Sequence, residues 1–229
     1  MPFTYAHARP ALSTDCVVFG LDAEDLKILL IKRALEPFKG RWGLPGGLAR
    51  VGESLEDTAR RELAEETGLR QVFLEQLYTF SSPDRNPQEH VITAAYYALV
   101  NLSEHPVRAS TDARGVAWFG LTEVPRLAFD HAKILELACE RLRGKIRYQP
   151  IGFELLPRKF PVRELQRLYE KILGRALDKR NFRKKILNMG ILQELAQTET
   201  DVAHRAARLY RFSKGKYDRM KKQGFNFEV

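Results

Sequence analysis

Three glutamates on one predicted helix are the residues of this sequence best suited to chemistry. Glu62 and Glu66 are four positions apart, and Glu65 lies beside them. At about 100° per residue, all three fall within about a third of the helix circumference, where like charges repel each other. A divalent cation would remove that repulsion, since carboxylates together with a phosphate are the usual ligands of Mg²⁺. The alternative is a solvated acidic face, and the helix alone leaves both readings open.

The helix that carries these glutamates has local start and stop signals. Ser54 with Asp57 forms a capping-box pattern, and Gly68 supplies the residue for a left-handed stop. An apolar stripe recurs every four residues and predicts a buried face. Its members are Leu55, Ala59 and Leu63. The pattern predicts a helix over about residues 55–66, which follows a Gly/Pro-rich stretch at residues 40–47.

The turn, a loop glutamate and this helix together resemble the signature of Nudix hydrolases. That signature has a glycine, five residues, a glutamate, seven residues, and then Arg-Glu-apolar-any-Glu-Glu-any-Gly-apolar. The matching positions are Gly47, Glu53, Arg61, Glu62, Leu63, Glu65, Glu66, Gly68 and Leu69. The resemblance covers roughly residues 12–140. It implies an α/β (α+β) Nudix sandwich that hydrolyses a nucleoside diphosphate linked to another group.

The resemblance also implies roles for single residues. The metal ligands, for Mg²⁺ or Mn²⁺, would be Glu62, Glu65 and Glu66 with the carbonyl of Gly47. The metal would polarise a diphosphate and activate water. Arg61 would hold Glu53 and so orient the carboxylates, although a plain surface arginine is the alternative. The implied catalytic residues are Glu53, Arg61 and Glu66.

A stretch that starts at Leu77, LYTFSSPDRNPQEHVITAAYYALV, is similar to the ADP-ribose-type members of the family. Arg85 and Glu89 lie in its polar loop, residues 81–90, and are the candidate ligand-binding residues. Glu89 is also a candidate general base outside the helix. An uninvolved loop residue is the alternative for each. ADP-ribose or a related nucleoside diphosphate is the ligand that this similarity implies.

Strands and helices alternate in the first half of the chain. The predicted strands are Cys16–Phe19, Lys27–Ile31, Gln71–Phe80, Val91–Val100 and Gly115–Phe119. A further helix is predicted over Ala132–Arg143 from its apolar spacing. The five histidines show no metal-ligand spacing, and we expect each at the surface or in a loop. The two cysteines, Cys16 and Cys139, are too few for a disulfide framework.

The net charge of +9 is unevenly divided along the chain. Residues 1–150 hold 19 Lys and Arg against 20 Asp and Glu, whereas residues 151–229 hold 19 against 9. A change of this kind predicts two units with different partners, and a polyanion for the second. The alternative is a solvated basic surface that binds nothing. We therefore predict two domains, at residues 1–150 and 151–229.

The basic half reads as helix, helix and a two-stranded ribbon, which is typical of a winged helix-turn-helix domain. The predicted helices cover about Val162–Ile172 and Lys179–Met189, and the strands cover Ile191–Ala196 and Arg208–Phe212. Arginine and asparagine suit base edges in a major groove, and lysine suits phosphates. The predicted DNA-binding residues are Lys179, Arg180, Asn181, Arg183, Lys184, Asn188 and Arg208. A basic packing module that never contacts nucleic acid is the alternative.

The order of these segments resembles the Nudix-related transcriptional regulators. The segments are a Nudix domain, LYEKILGRALDKRNFRKKI, RLYRF and QGFNFEV. The resemblance implies a sensor of ADP-ribose that binds double-stranded operator DNA as a homodimer and controls genes of NAD or sugar metabolism. Related sequences often carry Gly-Arg-Pro-Ala in the wing, where this chain has His204-Arg205-Ala206-Ala207. Several such regulators have damaged Nudix signatures, whereas this one is intact, so hydrolysis stays possible.

Composition sets the remaining expectations. Hydrophobic residues make up 44% of the chain, which is ordinary for a globular protein. No apolar run approaches the roughly 18 residues of a membrane span, and the first residues do not read as a signal peptide. We expect a cytoplasmic protein that contacts no membrane. The rival function is a plain Nudix hydrolase whose basic domain only dimerises or gathers anionic substrate.

Overall fold

The structure, a computed structural model, describes residues 7–22, 25–102, 115–200 and 206–229. The chain divides into two compact units. The first is drawn from residues up to Ala138, and the second from Cys139–Val229 with two short segments of the first half. Within the described residues, no helix combines the length and the apolarity that crossing a bilayer requires.

A seven-stranded sheet forms the centre of the N-terminal half. Its strands are β1 (Ala11–Leu21), β2 (Leu26–Lys32), β3 (Trp42–Gly43), β4 (Gly46–Leu48), β5 (Phe73–Phe80), β6 (Val91–Asn101) and β7 (Val116–Gly120). The main order is β3-β2-β1-β6-β5, with β4 paired to β1 and β7 paired to β2. The pairs β1–β4, β2–β3, β2–β7 and β5–β6 are antiparallel. The predicted strands are therefore confirmed, and the first of them is longer than its apolar run indicated.

Helix α1 (Leu55–Thr67) covers one face of this sheet. Ala59 and Leu63 of the predicted stripe are buried with Cys16, Val18 and Leu29 in one apolar cluster. The Oγ of Ser54 accepts the N–H of Asp57 at 3.1 Å, and Gly68 closes the helix with φ 76°. The capping box and the glycine stop are thus confirmed, because both depend on local sequence.

Two short strands in the Gly/Pro-rich stretch were not predicted. Strands β3 and β4 hold only two and three residues. Strand β4 exists because it pairs with β1, with Asp15 opposite Gly46 and Thr14 opposite Gly47. Such a pairing joins positions far apart in the chain, so no local sequence pattern predicts it. Helix α2 (His131–Lys145) then follows in the chain.

The second unit has the winged-helix order. A 3-10 helix (Pro150–Leu155) and β8 (Phe160–Pro161) precede α3 (Val162–Leu173), α4 (Lys179–Asn188), β9 (Leu192–Thr198), β10 (Arg208–Phe212) and α5 (Lys214–Lys222). Strands β8, β10 and β9 form an antiparallel sheet in that order. The buried ring of Tyr169 packs on Phe182 at 5.5 Å and joins α3 to α4. The predicted fold class is confirmed, although the 3-10 helix and β8 were missed.

Candidate functional site

Two glycines bring β4 against the carboxylate helix. A Cβ on Gly47 would lie 2.4 Å from Oε1 of Glu62, and one on Gly46 would lie 2.1 Å from the carbonyl oxygen of Thr14. Gly46 has no room for a side chain, and a side chain at Gly47 would displace the carboxylate of Glu62. The N–H of Gly46 donates to Oε2 of Glu66 at 2.9 Å. The close approach therefore places the Gly46–Gly47 backbone directly beside two of the three glutamates.

Arg61 organises the carboxylates around its guanidinium. Its Nε and Nη2 donate to the two oxygens of Glu53 at 2.7 and 3.0 Å. Its Nη1 donates to Glu62 at 2.6 Å and to Glu65 at 3.3 Å, and Nη2 also reaches the carbonyl of Leu48 at 3.2 Å. The side chain is 15% exposed. The hydrogen bonds that Arg61 donates to Glu53 and then to Glu62 raise the pKa of Arg61, so one fixed cation holds three carboxylates.

Glu53 is a fully ionised partner in this network. The hydrogen bond from Arg61 is the main cause that lowers its pKa from 4.5 to about 2, with help from the N–H of Arg50 and the hydroxyl of Thr58. Because the pKa is lowered on folding, the stability that this pair contributes is present above pH 4.5 and is lost as the pH falls toward 2. A carboxyl with so low a pKa is a poor proton acceptor at neutral pH. The two oxygens of Glu53 are instead positioned to hold the guanidinium of Arg61 in one orientation.

We expect Arg61→Lys to lower the hydrolysis rate by about 10- to 100-fold, the usual cost of losing a group that orients metal ligands. Lysine keeps the charge but cannot make the fork that holds Glu53 and Glu62 together. Initial rates of AMP release from ADP-ribose measure the effect. Arg60→Lys is the matched control, because Arg60 pairs with Glu56 on the exposed side of the same helix. Equal rates for the two variants would contradict the orienting role.

The oxygen donors fit a hard divalent cation. Nη1 of Arg61 contacts both Glu62 and Glu65, so two carboxylates already converge on one positive group. Glu66 lies beside the Gly46–Gly47 backbone. Within the described parts of the chain, no three acidic, histidine or cysteine side chains converge closely enough to form a metal cluster as they stand. The set still consists only of carboxylates and a carbonyl, the donors that Mg²⁺ and Mn²⁺ prefer.

A cavity of about 340 Å³ opens beside this helix in the first unit. Of the three glutamates, only Glu66 lines it, together with Gly46 and Gly47. Both candidate ligand residues, Arg85 and Glu89, also line it. Other lining residues are Ser13, Asp15, Arg33, Leu35, Phe129 and His131. The cavity therefore has the predicted metal ligands Glu66 and Gly47 at one end, which we call the metal end, and residues of the predicted ligand loop in the same wall.

Arg85 is bound by protein groups on nearly every side. It donates to Asp130 through Nε at 3.1 Å and Nη2 at 2.7 Å, to Asp15 at 3.3 Å, and to the hydroxyl of Thr93. Its side chain is only 5% exposed. A guanidinium has five N–H donors, and these contacts occupy most of them. Arg85 thus holds the cavity wall in place, whereas Glu89 is exposed on the same cavity.

The sequence did not indicate three residues of this site: Asp15 and His131, which line the cavity, and Asp130, which holds Arg85. His131 was expected at the surface or in a loop, and that expectation was wrong, because the residue is 3% exposed. The N–H of Leu44 donates to its Nδ1 at 2.9 Å, and its Nε2 lies 3.6 Å from Asp15. Burial lowers its pKa. His7 and His90 are exposed as expected, and His105 and His204 lie outside the described residues.

Phe129 forms the apolar part of the cavity wall. Its ring meets that of Phe38 edge-on at 4.9 Å, and the guanidinium of Arg33 lies 4.6 Å from its centre. Such a cation–aromatic contact stabilises the wall by about 0.5–1 kcal/mol. The cavity thus joins an apolar ring, charged side chains and the carboxylate helix, the mixed lining that is typical of a small-molecule site.

In the second unit, α4 presents its polar face to solvent. Phe182 and Ile186 are buried beneath it, and Asp178 caps its start by accepting the N–H of Asn181 at 2.8 Å. The exposed residues include all six that were predicted on this helix, namely Lys179, Arg180, Asn181, Arg183, Lys184 and Asn188. The exposed surface of this helix thus carries these four cations and two amides, which are available to a nucleic acid.

The arginines of the wing strands, unlike the exposed cations of α4, contact side chains of the protein. Arg208 is exposed but forms an ion pair with Glu194, and Arg211 donates to Gln193 at 2.7 Å. Glu199 accepts the N–H of Ala207 at 3.1 Å and forms an ion pair with Arg163 of α3. Arg205, part of the unusual wing sequence, lies outside the described residues. Contacts within the protein therefore fix the base of the wing.

Comparison with known proteins assigns both units. Residues 10–138 match the NUDIX domain, and residues 152–212 match the NrtR DNA-binding winged helix domain. The chain is 35% identical over 225 residues to the "ADPR responsive transcriptional repressor NtrR" of Acinetobacter baylyi, which covers 96% of this chain and 87% of that protein. It is 42% identical over 130 residues to the ADP-ribose pyrophosphatase of Methanocaldococcus jannaschii, which covers 57% of this chain and 73% of that protein.

A solved structure matches nearly the whole chain. The crystal structure of Shewanella oneidensis NrtR complexed with a 27mer DNA aligns with a TM-score of 0.81 and 32% identity. The match covers 94% of this chain and 97% of that chain. The aligned 94% of this chain includes most of both units. The chain therefore belongs to the Nudix family, in the group that carries an NrtR-type winged-helix domain.

Proposed function

We propose that this protein is an ADP-ribose-responsive transcriptional regulator that has kept hydrolytic activity. The Nudix unit binds ADP-ribose or a related nucleoside diphosphate, and the winged helix binds double-stranded operator DNA as a homodimer. The observation that carries the proposal is the pairing, on one chain, of a cavity lined by Glu66 with a helix face of exposed cations and amides. The Acinetobacter and Shewanella relatives support it.

Several side chains divide the work of hydrolysis. Glu62, Glu65 and Glu66, with the Gly47 carbonyl, would hold Mg²⁺ or Mn²⁺. When bound, the metal neutralises charge on the diphosphate and activates water. Arg61, oriented by Glu53, keeps Glu62 and Glu65 in place. Glu89, which lines the cavity on the ligand loop, would accept a proton from water.

The second unit would bind the operator DNA through α4. A helix of this kind enters the major groove, where arginine and asparagine read base edges and lysine binds phosphate. A homodimer places two such helices on half-sites about one DNA turn apart, or a multiple of it. The matched domain, residues 152–212, contains α4 and both strands of the wing. The regulated genes that we propose are those of NAD or sugar metabolism.

The test is fluorescence anisotropy with labelled DNA from upstream of the protein's own operon, over a range of salt concentrations. We expect tight binding that weakens steeply as salt rises, because the cations of α4 displace counterions from the phosphates. If the full chain binds no DNA even at low salt but hydrolyses ADP-ribose, the protein is a plain Nudix hydrolase whose basic unit dimerises or gathers substrate.

Two alanine variants of α4 separate base reading from phosphate binding. Arg180→Ala should cost roughly 1–3 kcal/mol of operator affinity and relax the sequence preference at one position, if Arg180 contacts a base. Lys184→Ala should weaken binding evenly across sequences and reduce the salt slope by about 1. Lys39→Ala, which removes an exposed cation from the first unit, serves as control. Three identical binding curves would show that α4 does not contact the operator.

A further inference from the structure

Asp15 is a mostly buried carboxylate of the cavity wall whose contacts to protein are long. Its Oδ2 receives Nη2 of Arg85 at 3.3 Å, and its Oδ1 lies 3.6 Å from Nε2 of His131. Asp130, by contrast, binds Arg85 through both oxygens at 2.7 and 3.1 Å. Asp15 lines the cavity with its side chain 12% exposed. A carboxylate has about four acceptor sites, so Asp15 keeps acceptor capacity directed at the cavity.

The backbone around Asp15 places it next to the metal end. Asp15 pairs with Gly46 across β1 and β4, and a Cβ on Gly46 would lie 2.9 Å from its Oδ1. The N–H of that same glycine donates to Glu66 at 2.9 Å. Asp15 and Glu66 thus flank one glycine. If the diphosphate binds at Glu66, as proposed above, a ligand group that contacts Asp15 lies next to it.

The hydrogen-bond donors of the ligand limit which of its groups Asp15 can bind. A carboxylate accepts hydrogen bonds, and the donors of a nucleoside diphosphate sugar are its ribose hydroxyls and the amino group of the base. The riboses are attached directly to the diphosphate, whereas the amino group lies at the far end of the nucleoside. Recognition of ribose hydroxyls by a carboxylate is also a known solution in dinucleotide-binding proteins.

We propose that Asp15 binds the hydroxyls of one ribose of the ligand, and that Arg85 and His131 hold its carboxylate in the required orientation. The proposal rests on the function proposed for this cavity. It makes Asp15 a residue that selects a ribose over a deoxyribose beside the diphosphate. Either the adenosine ribose or the terminal ribose satisfies the geometry, and the experiment distinguishes them.

The experiment is calorimetric titration of the full-length protein with methylene-bridged ADP-ribose, which cannot be hydrolysed at the diphosphate. Two further ligands each lack the 2-hydroxyl of one ribose. The natural protein should bind one of these about tenfold or more weakly than the parent compound, because a carboxylate that loses its hydroxyl partner is left unsatisfied. Asp15→Asn should weaken binding of the parent compound about tenfold. In this variant the ratio of the dissociation constants of that deoxy ligand and the parent should be close to one.

Two controls exclude indirect effects. Thr93→Val removes another partner of Arg85, and Thr93 does not line the cavity. Arg85 keeps both contacts with Asp130 in this variant, so Asp15 stays oriented and the proposal expects natural binding. If Thr93→Val reproduces both losses, Asp15 acts only by fixing Arg85 and the proposal fails. Titration with Mn²⁺ alone forms the second control, since weaker Mn²⁺ binding by Asp15→Asn would make Asp15 a metal ligand and also overturn the proposal.

The remaining outcomes are equally decisive. A circular dichroism melt like that of the natural protein verifies that Asp15→Asn is folded, and Asp15→Ser replaces it where it is not. If the natural protein binds the parent compound but Asp15→Asn keeps the same affinity and the same deoxy penalty, the assignment of Asp15 is wrong while the proposed function stands. If the natural protein binds none of the three ligands, the proposed function itself fails.

Discussion

Glu66→Gln should lower the rate of ADP-ribose hydrolysis by about 10³-fold, which corresponds to about 4 kcal/mol of transition-state stabilisation. Glu66 is the glutamate of the cluster that lines the cavity, so its charge bears most directly on the bound diphosphate. The loss of one carboxylate weakens the hold on a cation whose electrostatic contribution is several kcal/mol. Release of AMP in the presence of Mg²⁺ or Mn²⁺ measures the effect.

The design of this variant separates chemistry from folding. Glutamine keeps an oxygen that can accept the N–H of Gly46, the bond that Glu66 makes at 2.9 Å. Glu56→Gln is the matched control, because Glu56 lies on the same helix and pairs with Arg60 on its exposed side. A Glu66→Gln protein as active as the Glu56→Gln control would remove the carboxylate cluster from the mechanism. No turnover by the natural protein, with ligand binding retained, would identify a pure sensor.

The carboxylate helix could be predicted from the sequence because its signals are local. Ser54, Asp57 and Gly68 act within one turn of the helix ends, and the signature has fixed spacings along the chain. The same holds for α4, where Asp178 caps the start and apolar residues recur at helical spacing. Propensity, capping and periodicity all operate over a few residues, so a single sequence reports them.

The cavity wall could not be predicted in this way. Arg85 lies 70 residues from Asp15 and 45 residues from Asp130 along the chain, yet it forms ion pairs with both. Their convergence depends on the pairing of strands and on the start of α2. Arg85 was predicted to bind ligand; it lines the cavity and is engaged there by protein groups, and its contact with ligand stays a prediction. His131 carries no spacing signal, because its partner is the backbone of Leu44.

The second large effect that we expect is a change of operator affinity by ADP-ribose. A ligand alters DNA binding only if it binds the two states of the protein with different affinity, and such coupling is typically about 5- to 150-fold. Helix α2 begins in the first unit and continues into the second, so the chain from the cavity residue His131 onward links the two. We expect ADP-ribose to weaken operator binding, because rotation of the recognition helices would spoil their match to the half-sites.

The measurement that tests the whole account is a pair of titrations with the Glu66→Gln protein, which separates sensing from turnover. ADP-ribose is titrated into the protein with and without saturating operator DNA, and operator DNA is titrated with and without saturating ADP-ribose. Because binding free energies are linked, the affinity for ADP-ribose and the affinity for operator DNA must change by the same factor. We predict that each ligand weakens binding of the other by a factor of at least about five. Identical affinities in each pair would contradict the account and describe a Nudix enzyme fused to an independent DNA-binding domain.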